Sequence, residues 1–172
     1  MSKPKLFVFM VDALCESDVA YMRTLKNFGW MLENGALVRE MLPVYPSFTY
    51  PCHVSIMTGC YPEKHGIPHN EQVKAGVHPV PWYISRKLVQ KKFFAEYAKE
   101  RGLSTCLVNW PVSAGADVDI NAVQHMAGSV VGEGNMIVVQ PARRTPQRNG
   151  VGRLRHGVGL FQNVVDALQG GI

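Results

Sequence analysis

The sequence predicts an α/β fold with a mainly parallel sheet flanked by helices, and three observations support this prediction. Residues 6–11 form a short apolar run without alternation, which is typical of a strand buried on both faces of a parallel sheet. Apolar residues at helical spacing follow this run, and extended and helical segments then alternate along the chain. Such alternation is characteristic of α/β domains, whose strand–helix–strand units have right-handed crossovers.

The first 42 residues of the chain are expected to form one strand–helix–strand unit. The first strand ends at Asp12, and Ser17 is placed to cap the following helix. Gly35 supplies the left-handed residue that ends this helix, and residues 36–42 are predicted to form the second strand. The apolar face of the helix consists of Tyr21, Leu25, Phe28, Met31 and Leu32.

The next stretch contains a short helix, a long loop and a longer helix. Pro51 is suited to the first position of a helix over residues 51–58, which Gly59 closes, so Thr49 is expected just outside the helix N-terminus. Residues 60–80 form a turn-rich loop of a length that often carries function. An amphipathic helix over 85–101 and a third strand over 103–109 complete the pattern.

Composition divides the 172 residues into two parts. Residues 1–126 have ordinary globular composition, which excludes a wholly disordered chain, a coiled coil and a collagen-like fibre. Residues 127–172 hold nine of the 16 glycines, five arginines and no lysine. We predict a domain over 1–126 and a poorly ordered or unrelated tail over 127–172. Nucleic acid is not the expected partner, because aromatic residues scarcely interleave the arginines.

The chain contains no apolar run of about 18 residues, so it is expected neither to span a membrane nor to carry a signal core. Its four cysteines form no C-x-x-C pair and are expected to be free thiols. These two features predict a cytoplasmic protein without a membrane partner.

Two residues stand where chemistry is common in α/β folds. Asp12 follows the first strand at the sheet edge where ligands bind, although a carboxylate there can also simply cap a loop. Thr49 precedes a helix N-terminus, a ready site for a phosphate, although it can equally act as a helix cap. A threonine nucleophile needs a base or a metal ion to lower the pKa of its hydroxyl.

Other short motifs are weak or absent. The cysteines at 52 and 60 are too far apart for a zinc knuckle, and the chain has neither a P-loop nor a dinucleotide-binding glycine motif. The Cys and His residues of this segment that could donate to zinc are Cys52, His53, Cys60, His65 and His69.

Three segments together resemble one family. They are Phe7-Val-Phe-Met-Val-Asp-Ala13, Pro46-Ser-Phe-Thr-Tyr-Pro-Cys-His53 and Met57-Thr-Gly-Cys-Tyr-Pro-Glu-Lys-His-Gly-Ile67. With residues 109–121, they are similar in order and spacing to the N-terminal part of the type I phosphodiesterase/nucleotide pyrophosphatase family of the alkaline phosphatase superfamily. The resemblance covers about residues 5–122.

The resemblance implies a doubly wound, alkaline-phosphatase-like α/β fold with two divalent metal ions, usually zinc. It implies phosphoryl or nucleotidyl transfer to Thr49 followed by hydrolysis, with Asp12 and Thr49 bound to the same metal ion and a small phosphodiester or nucleotide as substrate. Cys52 stands at a substrate-binding position where the nucleotide pyrophosphatase branch has an Asn. His53 is expected to be structural, and neither His53 nor His65 is assigned a metal.

Beyond residue 121 the family's remaining metal-binding motifs are missing, so the ligand set and the fold are expected to be incomplete. We therefore expect a truncated or frame-shifted end over 122–172, weak or absent activity, and self-association through an exposed strand edge. The alternatives are a phosphomonoesterase or phosphomutase of the same superfamily, and a non-enzymatic module that binds anions through the basic tail. The acidic and histidine residues left are His125, Glu133, His156 and Asp166.

Overall fold

A computed structural model describes residues 5–123 and 135–141 of this chain. The predicted boundary near residue 126 and most of the predicted tail lie outside these residues. The strands are β1 (Leu6–Met10), β2 (Leu103–Val108), β3 (Ile120–Ala122) and β4 (Asn135–Pro141). The α-helices are α1 (Val19–Met22), α2 (Lys26–Asn34), α3 (Thr49–Thr58), α4 (Pro62–His65) and α5 (Phe94–Glu100). The predicted α/β class is confirmed.

The four strands form one sheet in the order β1-β4-β2-β3. Strand β4 is antiparallel to both of its neighbours, with Val8 opposite Ile137 and Thr105 opposite Val139. Strands β2 and β3 are parallel. Consequently β1, β2 and β3 share one direction and β4 alone runs against them. No strand was predicted over 135–141, which falls in the range assigned to the tail.

The predicted second strand over 36–42 is wrong. This segment is irregular and exposed in the structure, with Val38 76% and Leu42 89% exposed. Among the described strands, β4 is the one that pairs with β1. The strand–helix–strand unit predicted for the first 42 residues therefore lacks its third element.

Strand β1 is not buried on both faces, contrary to the prediction. Val8 and Met10 pack against the core, whereas Phe7 and Phe9 on the other face are 50% and 44% exposed. The reason is that α2 makes no extensive contact with any described strand, so it does not cover this face.

The first predicted helix is broken into pieces. A 3-10 turn over Glu16–Asp18, capped at Cys15 rather than at Ser17, leads into α1, and α2 begins after Leu25. The helix predicted over 85–101 is likewise split into a 3-10 turn at Arg86–Leu88 and α5. The third predicted strand is confirmed as β2.

The core lies where α3, α5 and β2 meet. It is built from residues of these elements, of the loops that follow α4 and β2, and of the segment that precedes α5, and buried residues of α3 anchor the helix that begins at Thr49. No helix in the described part of the chain is both long and apolar enough to cross a membrane. The buried core residues are Val54, Met57, Ile67, Val89, Phe93, Ala95, Leu107, Trp110 and Val112.

Candidate active site

Thr49 is the first residue of helix α3. The preceding Phe48 has an extended backbone and forms the N-cap, and Gly59 at φ 65° closes the helix, as predicted. The predicted start at Pro51 is two residues late, because proline lacks an N–H and is tolerated throughout the first turn, where N–H groups have no partner within the helix. Thr49 is therefore held by regular helix geometry rather than by a loop.

The first turn of α3 presents few backbone donors. The Cys52 N–H makes the first helical hydrogen bond, to the Phe48 carbonyl at 3.2 Å, and Pro51 has no N–H. The Tyr50 N–H donates to Oδ1 of Asn70 at 2.8 Å. Among described residues, no group accepts from the Thr49 N–H. This N–H lies beside the Thr49 side chain, at the positive end of the helix.

Asn70 is a site residue that the sequence analysis did not identify. Because the Tyr50 N–H requires an acceptor, its amide oxygen must face α3, and its amide nitrogen is left to donate elsewhere. No described residue accepts from that nitrogen. The surrounding loop holds Asn70 in place, since the Tyr83 N–H donates to its carbonyl at 2.9 Å. The only sequence signal was its position in the long loop expected to be functional.

Asp12 lies two residues beyond the end of β1 and is exposed. Its carboxylate is close enough to α3 for its charge to raise the pKa of both Cys52 and His53. Burial is the larger effect in each case, and it raises the pKa of the Cys52 thiol and lowers that of the His53 imidazole. The charge of Asp12 therefore acts, as a smaller effect, on the first turn of α3.

His53 is buried behind Thr49. Its Nδ1 lies 2.7 Å from the Thr49 carbonyl oxygen, which can only accept, so Nδ1 carries a proton and donates it. The imidazole meets the Trp110 ring edge-to-face at 5.0 Å, and the Trp110 Nε1–H donates to the His53 carbonyl at 3.4 Å. His53 thus links the loop after β2 to the start of α3.

His65 occupies a separate, structural position. The Ile67 N–H donates to its Nδ1 at 3.2 Å, so its Nε2 carries the proton and faces Ser55 Oγ at 3.0 Å. Both ring nitrogens are therefore engaged by the protein. Its neighbour in sequence, His69, packs edge-to-face on Phe48 at 4.2 Å.

The described residues supply at most two oxygen donors to the metal site that the family resemblance implies. Asp12 carries a carboxylate and Thr49 a hydroxyl, both suited to a divalent cation. Within residues 5–123 and 135–141, no three His, Cys, Asp or Glu residues are grouped so that they could hold a metal ion. The described donors therefore fit at most part of a metal site.

Comparisons with known proteins point to one family. The family model for type I phosphodiesterase/nucleotide pyrophosphatase matches residues 6–163, further than the resemblance at 5–122. The human ectonucleotide pyrophosphatase/phosphodiesterase family member 1 is 34% identical over 94 residues, which cover 52% of this chain and 10% of that protein. An ectonucleotide pyrophosphatase/phosphodiesterase from Caenorhabditis elegans is 28% identical over 116 residues, which cover 63% of this chain and 14% of that protein.

The human family member 7 is 41% identical over 44 residues, which cover 26% of this chain and 10% of that protein. These alignments span between 10% and 14% of the relatives' lengths. No solved structure matches the chain significantly. Since the family model covers most of the sequence, the chain belongs to the type I phosphodiesterase/nucleotide pyrophosphatase family.

Proposed function

We propose that this chain is the nucleophile-bearing part of a hydrolase that cleaves a phosphodiester or pyrophosphate bond, with Thr49 as the nucleophile. The observation that carries the proposal is the position of Thr49 at the start of α3, where neither its own N–H nor the amide nitrogen of Asn70, whose oxygen accepts the Tyr50 N–H, is bonded to a described residue. These two donors suit the anionic oxygens of a phosphoryl group.

In the proposed reaction, Thr49 Oγ1 forms a bond to phosphorus as the bond to the leaving oxygen breaks. The hydroxyl proton passes to solvent, and water later cleaves the phosphothreonine ester and regenerates the hydroxyl. The Thr49 N–H and the Asn70 amide nitrogen donate to the phosphoryl oxygens whose charge grows during transfer. Asp12 and Thr49 would hold one of the divalent ions, taken to be zinc, which lowers the pKa of the hydroxyl and neutralises phosphate charge.

The proposed substrate is a small phosphodiester or nucleotide, the substrate class implied by the family. The thiol of Cys52 is a poor donor, and burial raises its pKa so that it stays neutral. Asn70, which lies in the loop after α4, supplies an amide group to the same first turn of α3. The role of Cys52 as a substrate-binding position stays a prediction.

Turnover of an aryl phosphodiester with added zinc tests the proposal, using the full chain, Thr49→Ala and Thr58→Ala. Thr58 lies on the same helix, with its hydroxyl bonded to the Val54 carbonyl at 2.7 Å, so it is a matched control. We expect weak turnover that disappears in Thr49→Ala and survives in Thr58→Ala. Acid quenching should trap a phosphoryl group on Thr49. Turnover that persists in Thr49→Ala, or its absence at saturating zinc, would contradict the proposal.

A further inference from the structure

A chain of contacts runs from the end of β2 to the carbonyl of Thr49. Trp110 follows β2 by two residues and is buried. Its indole N–H donates to the His53 carbonyl, and its ring packs edge-to-face on the His53 imidazole. The imidazole in turn donates from Nδ1 to the Thr49 carbonyl. The segment after β2 and the first residue of α3 are therefore connected through two side chains, those of Trp110 and His53.

The hydrogen bond from His53 is unusual in its position. In a helix, the Thr49 carbonyl already accepts the backbone N–H four residues later, which is the N–H of His53 itself. The imidazole of the same residue adds a second donor to this carbonyl at 2.7 Å. Two donors on one carbonyl restrict the rotation of the peptide plane that follows Thr49, where a first helical turn is otherwise free to fray.

The Trp110 ring limits the imidazole to one orientation. At a ring separation of 5.0 Å and an interplanar angle of 66°, a flip of the imidazole would bring a different edge against the indole. Trp110 is itself fixed, because Ser113 Oγ donates to its carbonyl at 2.6 Å and the Asn121 amide donates to the Ser113 carbonyl at 2.6 Å. The donor that faces Thr49 is therefore held by buried structure.

We propose that His53 is a positioning residue for Thr49, and that Trp110 keeps its imidazole oriented for that role. The inference rests on the proposed function for its catalytic meaning, because the arrangement fixes the backbone from which the Thr49 hydroxyl projects. The contacts themselves exist independently of whether Thr49 is a nucleophile. Their test must therefore report on Thr49 directly as well as on turnover.

Two substitutions of His53 by side chains of equal shape separate the effect of the hydrogen bond from the effect of packing. His53→Asn keeps an N–H near the position of Nδ1, whereas His53→Leu has nearly the same shape as Asn and no donor. Trp110→Phe keeps an aromatic ring and removes the indole N–H. If His53→Leu fails to fold, Trp110→Phe still tests the orientation of the imidazole.

The first measurement is made by NMR on the zinc-free full chain. A scalar coupling through the hydrogen bond, from His53 Nδ1 to the Thr49 carbonyl carbon, is expected in the wild type. Three-bond couplings should show one χ1 rotamer for Thr49 in the wild type and in His53→Asn, and rotamer averaging in His53→Leu and partly in Trp110→Phe. The χ1 of Thr58, at the other end of the same helix, should stay unchanged in all of them.

The second measurement is turnover of the aryl phosphodiester. We expect kcat to fall about 10-fold in His53→Leu with little change in KM, and to recover in His53→Asn, because misplacing a nucleophile weakens the chemical step more than binding. The proposal is overturned if the coupling is absent, or if Thr49 keeps one rotamer in His53→Leu. If the NMR results hold while Thr49→Ala turns over normally, the proposed nucleophile is wrong and the positioning contact remains.

Discussion

The amide oxygen of Asn70 accepts the backbone N–H of Tyr50 at 2.8 Å across 20 residues of sequence. This bond joins the long loop after α4 to the first turn of α3, next to Thr49. A side chain that caps a helix from a distant loop does two things here: it satisfies an N–H that the helix cannot, and it leaves its own amide nitrogen with no acceptor among the described residues.

Asn70→Asp should separate these two roles. The carboxylate can still accept from the Tyr50 N–H and is favoured at a helix N-terminus, so we expect the melting temperature to be kept. It has no N–H to offer and repels a phosphate, so zinc-dependent turnover of the phosphodiester should fall about 100-fold, the usual effect of losing such a donor. Thermal unfolding and turnover measured on the same preparation check both parts.

Asn70→Ala is the companion variant. It removes the cap as well as the donor and should lower the free energy of unfolding by about 1 kcal/mol. Equal turnover in Asn70→Asp and the wild type would show that the amide nitrogen does not contact the substrate.

A buried ion pair stabilises the elements that support the site. Glu96 accepts from Arg86 Nε at 2.9 Å and Nη2 at 2.7 Å, and also from the Phe93 N–H at 2.9 Å. Arg86 lies 4.4 Å from the centre of the Phe93 ring. Glu96→Ala leaves the guanidinium buried without its partner, so the free energy of unfolding should fall by about 3 kcal/mol.

Glu100→Ala is the control for this prediction. Glu100 pairs with Lys92 at the surface, where an ion pair contributes about 0.5 kcal/mol or less. Urea denaturation of both variants measures the difference. Similar losses in the two variants would show that the buried pair contributes no more than an exposed one.

Some of this arrangement was predictable from the sequence, and particular residues show why the rest was not. The stop at Gly59 and the strand at β2 depend on local signals, a glycine in left-handed conformation and a short apolar run. Asn70 depends on a contact 20 residues away, which no periodic pattern records. Strand β4 contains a short apolar run, but the glycine and arginine content around it obscured that signal.

The error at β1 has a physical origin. An apolar run without alternation predicts burial on both faces only if something covers both faces. Among the described elements, the helices cover the face of Val8 and leave that of Phe7 open.

The position of Thr49 at a helix start was anticipated through Pro51, although the exact first residue depends on the N-cap at Phe48.

Thiol reactivity should differ sharply between Cys106 and Cys15. Burial raises the pKa of the Cys106 thiol to about 11, so little thiolate exists at pH 8. Cys15 is exposed and unpaired. We expect iodoacetamide to modify Cys15 within minutes and Cys106 only after addition of denaturant, as read by peptide mass mapping. Rapid labelling of Cys106 in the folded protein would contradict its burial in β2.

The stability of the fold should fall as the pH drops below the pKa that histidine has in the unfolded chain. Burial lowers the pKa of His65 from 6.5. The folded state therefore holds a neutral imidazole where the unfolded chain takes up a proton. The stability that the neutral His65 imidazole contributes is fully present above about pH 6.5. It is lost progressively as the pH falls from there toward the lowered pKa, because the unfolded state then binds more protons than the folded state.

Urea denaturation at pH 7.5 and pH 5.5 measures this dependence, with His65→Gln and His78→Gln as a matched pair. Glutamine at 65 can still donate to Ser55 Oγ but does not titrate, so His65→Gln should show a smaller loss of stability between the two pH values than the wild type. His78 is exposed, and its replacement should leave the pH dependence as it is. If both variants lose stability as steeply as the wild type, another group dominates acid unfolding and His65 is not the one that takes up the proton.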